Sequence, residues 1–262
     1  MADTNPSMRA IPGEKEVRPY SVLAAGYDVV MVHVDYDGWA EYVHGHVQEH
    51  HPEPKSILEL GCGTGSLALA LQPKGPYQYT ATDGSPDMIR IARCKAERAG
   101  IPIAFGVADF SAFRVVEPVD VVVLLYDGLN YLLEFDRVEA LLRRAYDALR
   151  PGGLFLFDQS TPRNSLNNAD YFEDAGQAPN FTYERRSRYD HEARLHTTMF
   201  DLTVGGVRFH ERHVQRAYEL GELRGLIQTT SFEERAAYED FSTLPATADS
   251  ERIHWVLRRP TR

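Results

Sequence analysis

The sequence predicts an α/β fold: a doubly wound, mostly parallel seven-stranded sheet with an antiparallel last strand and an inserted antiparallel β-subdomain. Three observations carry this. Between residues 56 and 158, short apolar runs alternate with segments of helical period, the pattern of a parallel sheet with right-handed crossovers. The first apolar run leads straight into Gly61-Cys62-Gly63-Thr64-Gly65 and then a helix. After Ser160 the pattern changes to apolar–polar alternation on either side of Gly205-Gly206, which reads as antiparallel β with a hairpin. With 262 residues, the chain can hold one large α/β domain, or one of roughly 150 to 200 residues carrying an insertion.

Taken in order, residues 1–18 are polar, contain Pro6 and Pro12 and have no apolar period, so they read as a flexible arm. Order is expected from about Tyr20, with helices over 20–31 and 37–50, the second placing Trp39, Val43 and Val47 on one face. A strand at 56–60, a helix at 65–72, a strand at 77–82 and a helix at 86–99 follow. The last of these is well punctuated: Ser85 suits the N-cap, Pro86 the first helical position and Gly100 the left-handed C-terminal position. Further strands are expected at 103–107 and 120–125, and a helix over 136–149 that Pro151-Gly152-Gly153 stops. A buried strand at 154–158 completes the alternation. Residues 161–180 look like loop, and 181–189, 194–204 and 207–218 like antiparallel strands. A helix at 219–228 and strands at 235–242 and 251–258 close the sheet edge. The expected division is an arm at 1–18, a sheet domain from 19–160 and 219–262, and an inserted β-subdomain at 161–218 that covers the acceptor site.

Composition narrows the function classes. Hydrophobic residues make up 43% and charged residues 25%, and no apolar run approaches the roughly 18 residues needed to span a bilayer. With no basic and apolar leader at its start, the chain is expected to be cytoplasmic, without a membrane partner. A net charge of −10 gives no generic attraction to polyphosphate, which disfavours large nucleic acids as partners. Two cysteines cannot make a disulfide framework. Ten histidines invite a metal hypothesis, above all His46 and His50 at i,i+4 spacing. Without a further carboxylate or thiol pattern beside them, they read as a solvated face, and no metal is expected.

The glycine-rich turn carries the chemistry. A strand, three glycines and a helix let the backbone turn sharply, approach a ligand closely and aim amides at it. Taken alone, such a turn leaves a dinucleotide and other adenosine cofactors open, or a purely structural bend. Asp83 ends the second strand, 20 residues beyond Gly63, where its carboxylate can accept two ribose hydroxyls. Helix punctuation is its plainer reading.

Glu59 before the first glycine, Thr64 between the last two, Asp83, Asp109 after the third strand and the Pro151-Gly152-Gly153 turn together resemble the class I S-adenosylmethionine-dependent methyltransferases over about 56–160. The resemblance implies a Rossmann-like fold and S-adenosyl-L-methionine as cofactor, the glycine loop receiving its methionine part. It implies that Asp109 accepts the adenine amino group, with Phe110 against the ring, and that Tyr20 and Tyr27 close over the methionine end. The expected cofactor-binding set is Tyr20, Tyr27, Glu59, Gly61, Cys62, Gly63, Gly65, Asp83, Gly84, Met88, Asp109, Phe110 and Tyr126. Gly26-Tyr27-Asp28, the run from Val34 to Trp39, and the run from Tyr126 to Tyr131 resemble a bacterial small-molecule methyltransferase subgroup. The antiparallel block resembles the acceptor-covering sheet of amino-sugar N,N-dimethyltransferases.

Methyl transfer from a sulfonium is an in-line displacement in which the protein mainly aligns the partners and excludes water. Acceptor-side residues are sought at the carboxyl end of the fourth strand: Tyr126, Asp127, Asn130 and Tyr131. Asn130 and Asp127 equally suit turn or helix caps. Of His196, His210 and His213 on the antiparallel strands, any neutral imidazole could take a proton, with Arg212 and Arg216 as anchors for an anion. Tyr126, Asp127, Asn130 and His210 form the expected catalytic set. The expected activity is methylation of an N or O nucleophile on a small molecule by a monomer or homodimer. Alternatives are a modified tRNA base as acceptor, a non-catalytic S-adenosylmethionine-binding protein and, last, an NAD(P)-linked oxidoreductase.

Overall fold

The structure is a computed structural model that describes residues 15–51, 53–168 and 173–261. Two sheets organise it. The seven-stranded sheet contains β2 (Ser56–Leu60), β3 (Gln78–Asp83), β4 (Ala104–Val107), β5 (Val119–Leu124), β6 (Leu149–Ser160), β11 (Glu233–Glu239) and β12 (Arg252–Arg258). Their order is β11-β12-β6-β5-β2-β3-β4. Neighbours from β4 across to β6 pair parallel, while β12 is antiparallel to both β6 and β11. It is the single strand running against the rest of this sheet.

Burial on both faces explains the apolar runs, because alternate residues of a strand point to opposite sides. Val122, Leu124, Phe155 and Phe157 pack with Leu141 and Leu142 of α5 (Phe135–Ala148) and Leu223 and Ile227 of α7 (Leu220–Gln228). Val121, Val123, Leu154 and Leu156 face the other way, with Trp39, Val43 and Val47 of α2 (Tyr36–His50) and Leu67 and Leu71 of α3 (Ser66–Leu71). The helix α4 (Pro86–Ala99) is bounded as expected: the Ser85 side chain accepts from Met88 N, and Gly100 has a φ of 66°.

The second sheet has the order β1-β10-β9-β8-β7, from β1 (Lys15–Val17), β7 (Asp174–Ala178), β8 (Phe181–Asp190), β9 (Leu195–Val204) and β10 (Val207–Arg216). Gly205 and Gly206, both at positive φ, make the β9–β10 hairpin. A third apolar cluster joins this sheet to the segment before α2: Leu23, Val30 and Met31 pack on Phe181, Tyr183, Phe200 and Leu202.

The structure corrects four expectations. Residues 15–17, read as part of a flexible arm, pair parallel with β10, and 1–14 lie outside the described residues. The helix expected over 20–31 is a 3₁₀ turn at Leu23–Gly26 followed by the short α1 (Tyr27–Val30), because Tyr20 sits at a φ of 63°, outside helical space. The stretch 161–180, read as loop, holds α6 (Pro162–Asn167) and β7. Finally, β6 starts at Leu149, ahead of the Pro-Gly-Gly turn, so that turn lies within an irregular strand start beside β5.

Candidate active site

At the carboxyl ends of β2 and β5, the neighbours on either side of the point where strand order reverses, the chain leaves a crevice. Two cavities occupy it, of about 300 Å³ and about 390 Å³. Tyr20, Tyr27, Tyr126 and Tyr131 line both and form the wall between them.

The smaller cavity is built on the glycine turn. Gly61, Gly63 and Gly65 have φ of 64°, 54° and 77°, a region costly for other residues. Gly65 lies behind the cavity, where an added Cβ would come within 3.1 Å of Ala92 Cβ and 3.3 Å of the Phe105 ring. The Asp83 carboxylate holds the turn from its far side, one oxygen accepting from Gly63 N at 2.9 Å and the other from Ser85 N at 2.7 Å. Burial raises its carboxyl, opposed by those two amides. Glu59 is buried below, accepts from the Tyr79 hydroxyl at 2.8 Å, and is pushed up to about 8 by burial. Burial likewise raises the Cys62 thiol. Thr64 donates to Asp28 at 2.5 Å and Lys95 bridges Asp28 and Ser66, so the segment before α2 is tied to the glycine turn.

Of the expected cofactor set, Tyr20, Tyr27, Glu59, Gly61, Cys62, Gly63, Asp83, Gly84, Met88, Phe110 and Tyr126 all line this cavity. Asp109 does not. Its carboxylate accepts from Ser111 N and Oγ, both at 2.7 Å, and pairs with Arg137 at 3.0 Å, away from the lining. The short Asp109–Ser111 turn points the side chain outward and brings Phe110 in. Tyr36 and Trp39 of α2 also line the cavity.

The larger cavity lies between β5, β6 and the second sheet, and its walls are polar: Asn164, Ser165, Thr198 and Gln215 among them. Tyr126 and Asp127 are both left-handed, at φ of 65° and 63°. Such non-glycine residues are strained, and the strain is held from outside. Asp127 N donates to the Asp158 carboxylate at 3.1 Å, and Arg252 pairs with both Asp127 (2.7 Å) and the fully buried Asp158. Burial pushes Asp158 up to about 7, Arg252 opposing and Asp127 reinforcing. This pin turns the Tyr126 ring under Trp39, with centroids 5.7 Å apart. Burial also raises the Tyr126 hydroxyl, to about 12.

Behind the tyrosine wall runs a hydrogen-bonded chain. The Tyr20 and Tyr131 hydroxyls are 2.5 Å apart, Tyr131 Oη lies 3.0 Å from His213 Nδ1, and His213 Nε2 is 3.1 Å from Glu211. Glu211 is fully buried and accepts from the backbone N–H groups of Tyr20, Val22 and Leu23. Burial works against its charge, but His213 and these amides outweigh it and hold the carboxyl below its usual range. A carboxylate can only accept, so His213 donates through Nε2 and presents Nδ1 as the acceptor for Tyr131. Burial keeps both tyrosine hydroxyls protonated, far above their ordinary value.

Two expected catalytic residues fall outside this chemistry. His210 lies on β10 one residue from Glu211, hence on the opposite face from Glu211 and His213, and meets Asp201 at 2.5 Å. Asn130 is buried with its amide committed: Nδ2 donates to the carbonyls of Ser160 and Arg216, and Oδ1 accepts from Ser160 N. It clamps its own 3₁₀ turn to the ends of β6 and β10, while still lining the larger cavity. Glu211, Asp158 and Arg252 were not foreseen; a carboxylate two residues before a histidine on an alternating strand was the available signal for the first.

The fold and the crevice agree with what the chain is similar to. A family described as methyltransferase domain matches residues 57–153. YqeM of Bacillus subtilis is 28% identical over 248 residues, covering 92% of this chain and 97% of YqeM. A Clostridium acetobutylicum S-adenosylmethionine-dependent methyltransferase superposes with a TM-score of 0.76 at 20% identity, over 90% of this chain and 96% of that one. The structure of CalS10 with S-adenosylmethionine bound, an amino pentose methyltransferase from Micromonospora echinaspora, gives 0.68 at 17% identity, over 90% and 96%. No helix among the described residues is long and apolar enough to cross a membrane.

Proposed function

We propose that this chain, which carries a methyltransferase domain match and the fold of S-adenosylmethionine-dependent methyltransferases, methylates an N or O nucleophile of a polar small molecule held in the larger cavity. The carrying observation is the shared tyrosine wall: a chamber of about 390 Å³ lies against the cofactor cavity, with Tyr20, Tyr27, Tyr126 and Tyr131 lining both. Its polar lining suits hydroxylated or amino-bearing metabolites. The antiparallel sheet that covers this chamber fits the same reading, as does the amino pentose named for CalS10.

The residues of the smaller cavity fit the cofactor. Gly61 and Gly63, both left-handed, keep the turn free of Cβ atoms on its ligand side, the amides there suit a carboxylate, and the remaining lone pairs of Asp83 suit vicinal hydroxyls. Met88 and Phe110 offer apolar surface to an adenine. Bound S-adenosylmethionine supplies an activated methyl whose bond to sulfur breaks with the electron pair staying on sulfur. The chain's part is to align the nucleophile with that bond and keep water out, which the four tyrosines do by filling the boundary. It also takes the proton. As the new bond to carbon forms, the acceptor's proton passes to the Tyr20–Tyr131 hydroxyl pair and a tyrosine proton moves to His213 Nδ1. The resulting imidazolium faces the Glu211 carboxylate.

Incubating the protein with methyl-labelled S-adenosylmethionine and a fractionated metabolite extract tests this reading. The expected result is label in a polar small molecule together with S-adenosylhomocysteine. Label only in macromolecules, or cofactor binding with no labelled product from any fraction, would overturn it.

A further inference from the structure

On the last turn of α2, away from both cavities, His46, Glu49 and His50 bring one ligand atom each into a group no wider than 4.8 Å. The i, i+3, i+4 spacing puts all three on one helix face. His46 is buried, stacked on Tyr238 at 4.7 Å and met edge-on by Tyr42 at 4.4 Å, so the solvated face expected from sequence is not what forms. Neither His46 Nδ1 nor His50 Nε2 has a hydrogen-bond partner among the described residues, although both are shielded from solvent. Buried imidazole nitrogens normally find a partner, and the exceptions call for a missing ion or water. Here both are turned toward one carboxylate oxygen, Glu49 Oε2, 3.5 Å from His46 Nδ1 and 3.9 Å from His50 Nε2, beyond hydrogen-bond range at the second.

We propose that His46 Nδ1, His50 Nε2 and the Glu49 carboxylate form a binding site for one zinc ion, with water completing a tetrahedron on the open side. Zinc–nitrogen and zinc–oxygen bonds of about 2.0–2.2 Å place neighbouring tetrahedral ligands roughly 3.3–3.5 Å apart. The His46–Glu49 distance already meets this, rotation of the exposed Glu49 side chain can shorten its distance to His50, and the two imidazole nitrogens lie within 4.8 Å of one another. Two imidazoles and a carboxylate suit zinc and other borderline divalent ions over magnesium or calcium, which prefer all-oxygen sites. The helix carbonyl end adds favourable charge. Arg235 and Arg258 near His50 oppose the cation, and the Glu49 carboxylate beside both imidazoles offsets them.

Calorimetric titration of the tag-free full chain with zinc chloride tests the site. One equivalent is expected to bind, with His50→Gln weakening it at least about 100-fold and Glu49→Gln at least about tenfold, since even an outer-shell partner typically costs that much. Glu49 is exposed, so its variant folds even where a change at His46 or His50 does not. S-adenosylmethionine binding, measured in the same samples, is expected to be unchanged and certifies the fold. No zinc binding by about 100 μM, where a real site would saturate, overturns the proposal. So does binding undiminished in either folded variant.

Discussion

The two cavities share one wall yet are built in different ways. The cofactor side is floored by one local stretch: glycines at positive φ, a strand-end carboxylate and a capped helix start, with about half of the cavity lining within residues 59–88. The acceptor side is made of side chains brought together from far apart, with Tyr20 and Glu211 in contact across 191 positions, Tyr131 and His213 across 82, and Asp127 and Arg252 across 125. A ligand shared by many enzymes can be met by local chain geometry, whereas a particular acceptor is met by tertiary contacts that each protein assembles for itself.

The hardest blow to this picture falls where the halves join. Arg252→Ala would leave the Asp127 and Asp158 carboxylates facing each other with no counter-charge, one of them fully buried. Removing one member of such a buried group costs about 3–5 kcal/mol. Denaturant unfolding should show that loss. A change under about 1 kcal/mol, the scale of an ordinary surface pair, would mean that the strained Tyr126–Asp127 turn is held by something else.

Two single-side substitutions should separate the halves. His213→Gln keeps bulk on the acceptor side but cannot take a proton to the same end. It should lower kcat for the identified acceptor about 100-fold and leave the calorimetric affinity for S-adenosylmethionine unchanged. A parallel loss of cofactor affinity would show that the two sides are one unit. Conversely, Asp83→Ala should weaken cofactor binding by about 1.5–3 kcal/mol, the loss of hydrogen bonds to a charged group, while the acceptor KM at saturating cofactor stays put. Unchanged cofactor affinity would reduce Asp83 to a brace for the glycine turn, the role its bonds to Gly63 and Ser85 already show.

The same division decides what the sequence made legible. The α4 boundaries, the three glycines and Asp83 were readable because each is set by neighbours a few residues away. Asp109 was misplaced because the Ser111 N and Oγ groups take up its carboxylate in a tight turn and Arg137, 28 residues on, meets it there, outside the cavity. His210 was preferred over His213 although strand alternation separates their faces; without the pairing partner of β10, nothing local says which face is inside. Asn130, read as catalytic, lines the larger cavity with its amide committed to the ends of β6 and β10 at Ser160 and Arg216. Read as solvated, His46 is buried because β11, almost 190 residues later, lays Tyr238 over it.

The finest distinction between the halves is one of protonation, and Glu59 tests it. Burial pushes its carboxyl up to about 8, against 4.5 in the unfolded chain, so near neutral pH the folded protein holds a proton that the unfolded one has lost. The native state therefore binds more protons than the unfolded state between those values, and stability falls as pH rises through that window. Its contribution is fully present below about 4.5 and lost as pH passes 8. Glu59→Gln keeps a carbonyl oxygen to accept from Tyr79 and removes the titration. Urea unfolding at either end of the window should find the variant close to wild type on the acid side and more stable on the alkaline side. Parallel curves would mean that Glu59 is ionised in the fold, and the cofactor side would then carry a buried, charge-paired device of the kind that otherwise distinguishes the acceptor side.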